Sequence, residues 1–236
     1  RNKRLMQILV ENFTKCFGDL TVIKDMNLKI NDGEMMALLG PSGCGKSTTL
    51  FAICGIHRVD HGRVLFDDED VTQMPTQQRN IGVVFQSFAL YPHMTVFQNI
   101  AFPLTVRNED KKTISKSVGE MAELVHIENL LERRPEQLSG GQQRMVEISR
   151  TLMVEPKVLL IDEPTAGLSK MLAEEVYEMR TMLTSQENLS ILIVDQEIRH
   201  ALKIADYVYV LELGRNKIEG PSSEFTDLKQ AFWVSN

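Results

Sequence analysis

Residues 40–48 of this chain read GPSGCGKST, which fits the phosphate-loop pattern GxxxxGK[ST]. The apolar run 35–39 before this loop predicts a buried strand, and residues 47–53 after it predict a helix. Glycines let successive backbone N–H groups converge on an anion, and the N-terminus of a helix adds partial positive charge. The strand, loop and helix therefore predict a site for phosphate groups.

Two side chains of the loop have chemistry that suits a phosphate tail. The ammonium of Lys46 would reach the β- and γ-phosphates, and the hydroxyl of Ser47 would be a ligand of magnesium. The residues expected to touch the phosphates are Gly40, Pro41, Ser42, Gly43, Cys44, Gly45, Lys46, Ser47 and Thr48. The loop thus predicts binding of ATP together with Mg²⁺.

Length and composition favour one globular domain or one domain with a small subdomain. The chain has 236 residues, of which 43% are hydrophobic and 25% charged. Its net charge of −6 argues against a broad basic face, so we expect no nucleic-acid partner. No apolar run approaches the roughly 20 residues that cross a bilayer. Three unevenly spaced cysteines indicate a reducing compartment without a disulfide framework.

Strands and helices are expected to alternate along the chain. Short strands are predicted at 5–13, 28–30, 63–66 and 81–85, with a turn at 61–62. The sequence from about residue 90 to 155 indicates helices, with apolar residues at the 3.6-residue spacing of a helix over 112–126. Strands at 158–161, 191–194 and 207–211 then alternate with helices at 171–185 and 198–205. This order predicts an α/β core with a mostly parallel sheet.

Two carboxylates follow the apolar strand 158–161 directly. Strand ends of an open parallel sheet are where ligands bind, so Asp162 is expected to hold Mg²⁺, mostly through water. Glu163, one residue further, is expected to polarise an attacking water as the general base.

The segment Leu138–Gln143 reads LSGGQQ and stands immediately before a predicted helix at 142–154. A serine and two glycines at a helix start leave free N–H groups, so this is a second anion site. With the phosphate loop before it and the carboxylates after it, the segment resembles the signature of the ATP-binding-cassette (ABC) ATPases. The resemblance covers essentially the whole chain. It implies a phosphate-loop core at 1–89 and 157–236, with an antiparallel β subdomain at the N-terminus and an inserted helical subdomain at about 90–156.

The resemblance also assigns roles to side chains outside the phosphate loop. It places Phe17 where the family stacks an aromatic ring on adenine, and Gln86 where a glutamine senses Mg²⁺ or the attacking water. It implies that two cassettes pair head to tail, with the phosphate loop of one facing the signature residues of the other: Ser139, Gly140, Gly141 and Gln142. The apolar stretch 87–94 resembles the segment that meets a membrane permease.

Two positions depart from the usual pattern of the family. Ser169 stands where an aspartate is common, and Gln196 stands at the position of a histidine that senses the γ-phosphate. Glutamine can donate a hydrogen bond to a phosphate but cannot titrate near neutral pH. Both changes resemble importers of branched-chain amino acids, whereas residues 85–95 resemble sugar importers. The transported solute and the identity of the partner cassette, the same chain or a different one, stay open.

The leading hypothesis is an ATPase subunit that drives solute import from the cytoplasmic face of a membrane. Its expected partners are a second cassette, permease subunits and a solute-binding protein. Two alternatives remain: an ATP-gated cassette with weak hydrolysis, suggested by Ser169 and Gln196, and a non-transport ABC ATPase. The expected catalytic residues are Glu163, Lys46, Gln86 and Gln196, and the expected metal-binding residues are Ser47, Gln86 and Asp162.

Overall fold

The computed structural model of the protein describes residues 6–164, 189–196 and 198–225. Ten strands lie in this part of the chain: β1 Ile8–Phe17, β2 Leu20–Ile30, β3 Met35–Leu39, β4 His61–Phe66, β5 Glu69–Asp70, β6 Ile81–Val84, β7 Val158–Asp162, β8 Ser190–Asp195, β9 Tyr207–Glu212 and β10 Arg215–Pro221. The helices described are α1 Lys46–Ile53, α2 Val96–Val106, α3 Lys111–Leu124, α4 Gly140–Leu152 and α5 Ile198–Ile204. Short 3-10 turns lie at Thr76–Gln78, Glu128–Leu130, Pro135–Gln137 and Ser222–Glu224.

The larger of the two described sheets has six strands in the order β10-β9-β3-β8-β7-β6. All neighbours are parallel except β9 and β10, which form an antiparallel hairpin at one edge. The other sheet is antiparallel, with the order β2-β1-β4-β5. A mixed α/β fold with a mostly parallel sheet and an antiparallel β subdomain is therefore confirmed.

The parallel sheet is buried on both faces, as shown by alternate residues of its central strand. On β3, Met35 packs with the helices α2, α3 and α4, whereas Met36 and Leu38 pack with α1 and the antiparallel sheet. All five β3 side chains are buried, which explains why the strand reads as a continuous apolar run. The same reasoning applies to β7 and β8, whose residues are all buried.

Parallel strands bring their carboxyl ends to one edge of the sheet. In register, Leu39 at the end of β3 lies beside Asp195 of β8, and Asp162 of β7 lies beside Val194. Strand β6 ends on the other side of β7, one residue before Phe85. The loops that follow β3, β6, β7 and β8 therefore meet, and this edge holds the candidate site.

The antiparallel region differs most from the sequence-based expectation. Strand β2 has 11 residues rather than the three predicted, because its polar side chains alternate with buried ones and lie on the exposed face. His61 and Gly62 lie inside β4 rather than in a turn. Gly62 lies at an irregularity of the β1–β4 pairing and fits there because it lacks a side chain: a Cβ would lie 2.3 Å from the carbonyl oxygen of Glu11.

Two expectations concern residues outside the described part of the chain. They are the helix predicted at 171–185 and the departure at Ser169. Among the residues that the structure describes, no helix is both long and apolar enough to cross a membrane.

Candidate active site

The phosphate loop joins the end of β3 to the start of α1. Gly40, Gly43 and Gly45 have positive φ angles of 151°, 78° and 104°. At Gly45 a Cβ would lie 2.1 Å from Cδ1 of Ile23, so a side chain is excluded by contact as well as by conformation. The N-terminus of α1 has no side-chain cap. Its first N–H groups are thus available to an anion, as the chemistry of a phosphate site requires.

Lys46 lies at the first turn of α1 and is only 4% exposed. Its Nζ donates to the carbonyl oxygens of Gly40 at 2.8 Å and Pro41 at 3.1 Å. The loop thus holds the ammonium by neutral carbonyl groups, which a phosphate could replace as the stronger acceptor.

Ser47 and Asp162 come together across the site. The Ser47 hydroxyl donates to Oδ1 of Asp162 at 2.9 Å. Burial and the nearby charge of Glu163 raise the pKa of Asp162, while the Ser47 hydrogen bond lowers it in part. One carboxylate and one hydroxyl fit Mg²⁺, which usually binds one or two carboxylates together with phosphates and water. No group of three His, Cys, Asp or Glu side chains that could hold a metal occurs among the described residues.

Glu163 lies between the two glutamines expected to act with it. Nε2 of Gln86 donates to Oε2 of Glu163 at 2.7 Å, and Nε2 of Gln196 donates to Oε1 in a short hydrogen bond. The Glu163 N–H also donates to the carbonyl oxygen of Val194 at 2.8 Å. Glu163 has a φ of 44°, a left-handed conformation that is uncommon outside glycine. Residues far apart in sequence are thus brought together around one carboxylate.

Phe17 ends β1 and is 46% exposed. Its ring makes an edge contact with His57 at 5.4 Å between centroids, and His57 makes a similar contact with Phe51 of α1 at 5.5 Å. Nζ of Lys15 lies 5.2 Å from the Phe17 centroid. An exposed aromatic ring is therefore connected, through His57, to the helix that follows the phosphate loop.

The signature residues form the start of α4. Oγ of Ser139 accepts from the Gln142 N–H at 3.3 Å, and Oε1 of Gln142 accepts from the Ser139 N–H at 3.0 Å. This capping box was not anticipated, although serine followed by glutamine three residues later is its usual pattern. Ser139 is exposed and Gly141 is buried. The serine therefore lies on the surface, where a second molecule could contact it.

Sequence reasoning missed a buried ion pair on α4. Arg144 and Glu147 are 0% exposed and are joined at 2.8 Å between Nη1 and Oε2. Their spacing of three residues was a usable signal, because an arginine and a glutamate so placed lie on one face of a helix. What the pair contacts could not be read from the sequence, because those groups are backbone atoms after β6.

The family described as ABC transporter matches residues 23–166, more than half of the chain. Among curated proteins, a spermidine/putrescine import ATP-binding protein PotA from Aggregatibacter actinomycetemcomitans is 38% identical over 95% of this chain and 60% of its own length. A sulfate/thiosulfate import ATP-binding protein CysA from a Synechocystis strain is 40% identical over 93% of this chain and 62% of its own length. The chain thus spans about three fifths of these relatives.

Solved structures agree with the family match. A nucleotide-free ATP-binding cassette from an ABC transporter superposes with a TM-score of 0.85 at 26% identity, covering 98% of this chain and 100% of that one. The cbiO1 protein of Clostridium perfringens, part of the transporter complex cbiONQ, gives a TM-score of 0.89 at 30% identity, covering 97% and 93%. The fold, the site geometry and these similarities lead to one conclusion: the chain belongs to the ABC transporter family.

Proposed function

We propose that the protein binds and hydrolyses ATP, pairs with a second cassette around the nucleotide, and drives solute import through a membrane permease. One observation carries the proposal: Glu163 lies beside the Ser47–Asp162 pair with both carboxylate oxygens bound by glutamine amides. A carboxylate held this way is oriented, and its remaining lone pairs can still accept a proton from water.

Each residue of the site then has a step in hydrolysis. Lys46 exchanges its carbonyl partners for the β- and γ-phosphates, whose charge it balances. Water attacks the γ-phosphorus, its proton passes to Glu163, and the bond from γ-phosphorus to the bridging oxygen of ADP breaks. Gln86 and Gln196 hold the Glu163 carboxylate and can donate to the water or the phosphate. Ser47, Asp162 and Gln86 would hold Mg²⁺, which would neutralise phosphate charge when bound.

Pairing would complete the site from outside the chain. Residues 41–43 of the phosphate loop and Ser139 are exposed, and each lies next to a helix start that can bind an anion. Two antiparallel copies would place each loop opposite the other's serine. ATP would then favour the closed pair by the contacts that it makes with both subunits. Phe17 would stack on adenine, which contributes less than the phosphate contacts.

The permease contact is proposed at a groove of about 860 Å³ between α2 and α3. Its apolar lining includes Met94, Phe97, Phe102 and Ile114. The groove connects to the site through the loop after β6, because Asn99 of α2 is fully buried and binds this loop at the carbonyl and N–H of Tyr91. Contact with the permease would place the protein at the cytoplasmic face of the membrane, and a solute-binding protein would deliver the cargo.

The cargo is not determined by the cassette. Relatives of almost equal similarity are named for a polyamine and for sulfate, solutes of opposite charge. The contacts that select the solute therefore lie in the proposed partners rather than in this chain. The resemblance of this chain to sugar importers and amino-acid importers does not identify its solute either.

Replacing Glu163 by glutamine tests the proposed chemistry. Glu163→Gln keeps the size of the side chain but removes the base, so we expect ATP binding to be retained and steady-state phosphate release to fall by roughly 10²–10⁴-fold. Glu123→Gln, a change at an exposed glutamate of α3, serves as the control. Turnover at the wild-type rate in Glu163→Gln would remove this residue from the role.

A second candidate, an ATP-gated cassette with weak hydrolysis, is favoured by Gln196. Here an amide that cannot titrate binds the expected base. Phosphate release from the wild-type protein with and without its permease separates the two: a rate that stays near background in both conditions supports gating. A Gln196→His variant that gains turnover would point the same way.

A further inference from the structure

The ion pair of α4 binds the backbone that carries Gln86. Nη1 of Arg144 donates to the Phe85 carbonyl oxygen in a short hydrogen bond, and Nη2 donates to the Gln86 carbonyl oxygen at 2.8 Å. Glu147 binds Nη1 of Arg144 through Oε2, and accepts from the Phe85 N–H through Oε1 at 3.2 Å. The pair thus binds the N–H and the carbonyl of Phe85 and the carbonyl of Gln86, all in the loop after β6.

The same guanidinium also contacts a side chain of this loop. Its central carbon lies 4.8 Å from the centroid of the Phe88 ring, within cation–π range. Nε of Arg144 has no hydrogen-bond partner in the described part of the chain. The guanidinium therefore binds the loop backbone while one of its own N–H donors stays without an acceptor among the described residues. An unsatisfied donor of this kind is unusual for a fully buried charged group.

Burial makes this arrangement energetically demanding. It lowers the pKa of Arg144 and raises that of Glu147, each opposed by the charge of the other. A pair of apolar side chains could fill a buried position of this kind without that penalty. If Arg144 and Glu147 orient the backbone of the loop after β6 in addition to packing, the presence of charges at these buried positions has a physical reason.

We infer that Arg144 and Glu147 are positioning residues for hydrolysis, which hold the Gln86 backbone so that its amide reaches Glu163. The geometric link is continuous: α4 carries the pair, the pair binds the carbonyl of Gln86, and Nε2 of Gln86 lies 2.7 Å from the carboxylate. Because Ser139 caps the N-terminus of α4, a displacement of this end of the helix would move Gln86 relative to Glu163. This inference rests on the proposed hydrolysis.

A double-mutant cycle between Arg144 and Gln86 tests the link. Lysine keeps the charge of Arg144 but lacks the planar fork of two terminal nitrogens, which binds the Phe85 carbonyl through Nη1 and the Gln86 carbonyl through Nη2. We expect Arg144→Lys to lower kcat roughly tenfold with less than about a threefold change in KM for MgATP, because misplacement affects the reacting groups and not the phosphate loop. In a Gln86→Ala background the same substitution should change kcat less than about twofold.

Arg79→Lys is the matched control, measured alone and with Gln86→Ala in full-length protein. Arg79 is also buried, and among the described residues its guanidinium binds the carbonyls of Ala52, Ile53, Met74 and Thr72, none of which lies in the loop after β6. Its effect should be the same in both backgrounds. If Arg144→Lys does not fold, Glu147→Gln is used in the same cycle, since it keeps the size but weakens the hold on Arg144.

Three outcomes would overturn the inference. They are equal kcat losses from Arg144→Lys in both backgrounds, a rise in KM at unchanged kcat, and unchanged turnover in Gln86→Ala itself. The cycle uses only ratios of residual rates, whereas Glu163→Gln tests whether the proposed base is needed. Failure of the positioning role and failure of the proposed chemistry are therefore distinguishable.

Discussion

Lys46 is bound to carbonyl oxygens of its own loop and is nearly buried. A phosphate tail entering the loop would meet this ammonium, whose hydrogen bonds to a charged acceptor are each expected to contribute about 1.5–3 kcal/mol. Lys46→Ala should therefore weaken ATP binding at least roughly tenfold to hundredfold, as measured by titration with a fluorescent nucleotide. Lys24→Ala, at an exposed position of β2, is the comparison. Undiminished affinity in Lys46→Ala would place the phosphates elsewhere.

Asp162 predicts a pH effect on stability. Its pKa is raised by burial, so the folded protein holds this proton to higher pH than the unfolded chain does. Stability from this group is therefore present at low pH and declines as pH rises from the ordinary aspartate pKa of 3.8 to the raised value. Asp162→Asn has no charge to bury, and we expect a higher unfolding temperature than wild type at pH 7 without nucleotide.

The difference between Asp162→Asn and wild type should shrink towards pH 4, where the wild-type carboxyl is protonated as well. Asp68→Asn, an exposed change, is the control in the same calorimetric series. A lower unfolding temperature for Asp162→Asn at pH 7 would contradict the assignment. The variant should also need more Mg²⁺ for ATP-dependent activity, because it lacks the expected carboxylate.

The position of Gly119 in helix α3 does not require a glycine. A Cβ at Gly119 would meet nothing within 4 Å, and glycine in a helix interior is about 0.8–1 kcal/mol less favourable than alanine. Gly119→Ala should therefore raise the unfolding temperature by about 2–4 °C for a chain of this size. Thermal unfolding followed by circular dichroism measures this change.

Gly45→Ala is the contrasting substitution at the start of α1. It combines a φ of 104° with a clash at Ile23, so it should lower the unfolding temperature. If Gly119→Ala does not raise the unfolding temperature, α3 does not accommodate the added methyl group, contrary to the open space around Gly119.

Pairing around ATP can be tested at the scale of the whole molecule. Aspartate caps a helix about as well as serine, so Ser139→Asp should leave α4 intact while placing a negative charge opposite the partner's γ-phosphate. In a Glu163→Gln background, which retains ATP, we expect the parent to form an ATP-dependent dimer and the Ser139→Asp variant to stay monomeric. Light scattering with and without MgATP measures both, and Ser139→Thr is the control that keeps the hydroxyl.

The result that would contradict the pairing is equally direct. A dimer of unchanged stability in Ser139→Asp would show that the signature serine is remote from the nucleotide. Loss of the dimer in both Ser139→Asp and Ser139→Thr would indicate disturbance of the helix start rather than charge repulsion. It would then count against the proposed position of Ser139 opposite the γ-phosphate.

Several parts of the fold were predictable because local physics decides them. Loop residues 40–48 have glycines at three positions with positive φ, and the buried strands β3, β7 and β8 read as short apolar runs bounded by polar residues. Family membership was predictable from a resemblance, since LSGGQQ at residues 138–143 is a long, specific pattern. Edge elements were less predictable: β10 was missed because exposed and partly buried residues alternate along it.

The order of residues along the chain was enough to propose which of them carry the chemistry of this protein. Only the tertiary structure decided which of them meet, because hydrogen bonds across a sheet edge depend on strand order and register rather than on sequence distance. Glu163 meets Gln86 and Gln196 for that reason, although the three come from the ends of different strands. Arg144 and Glu147 show the same limit more strongly: their partners are backbone groups about 60 residues away, which present the same N–H and C=O in every residue and leave no trace in a sequence.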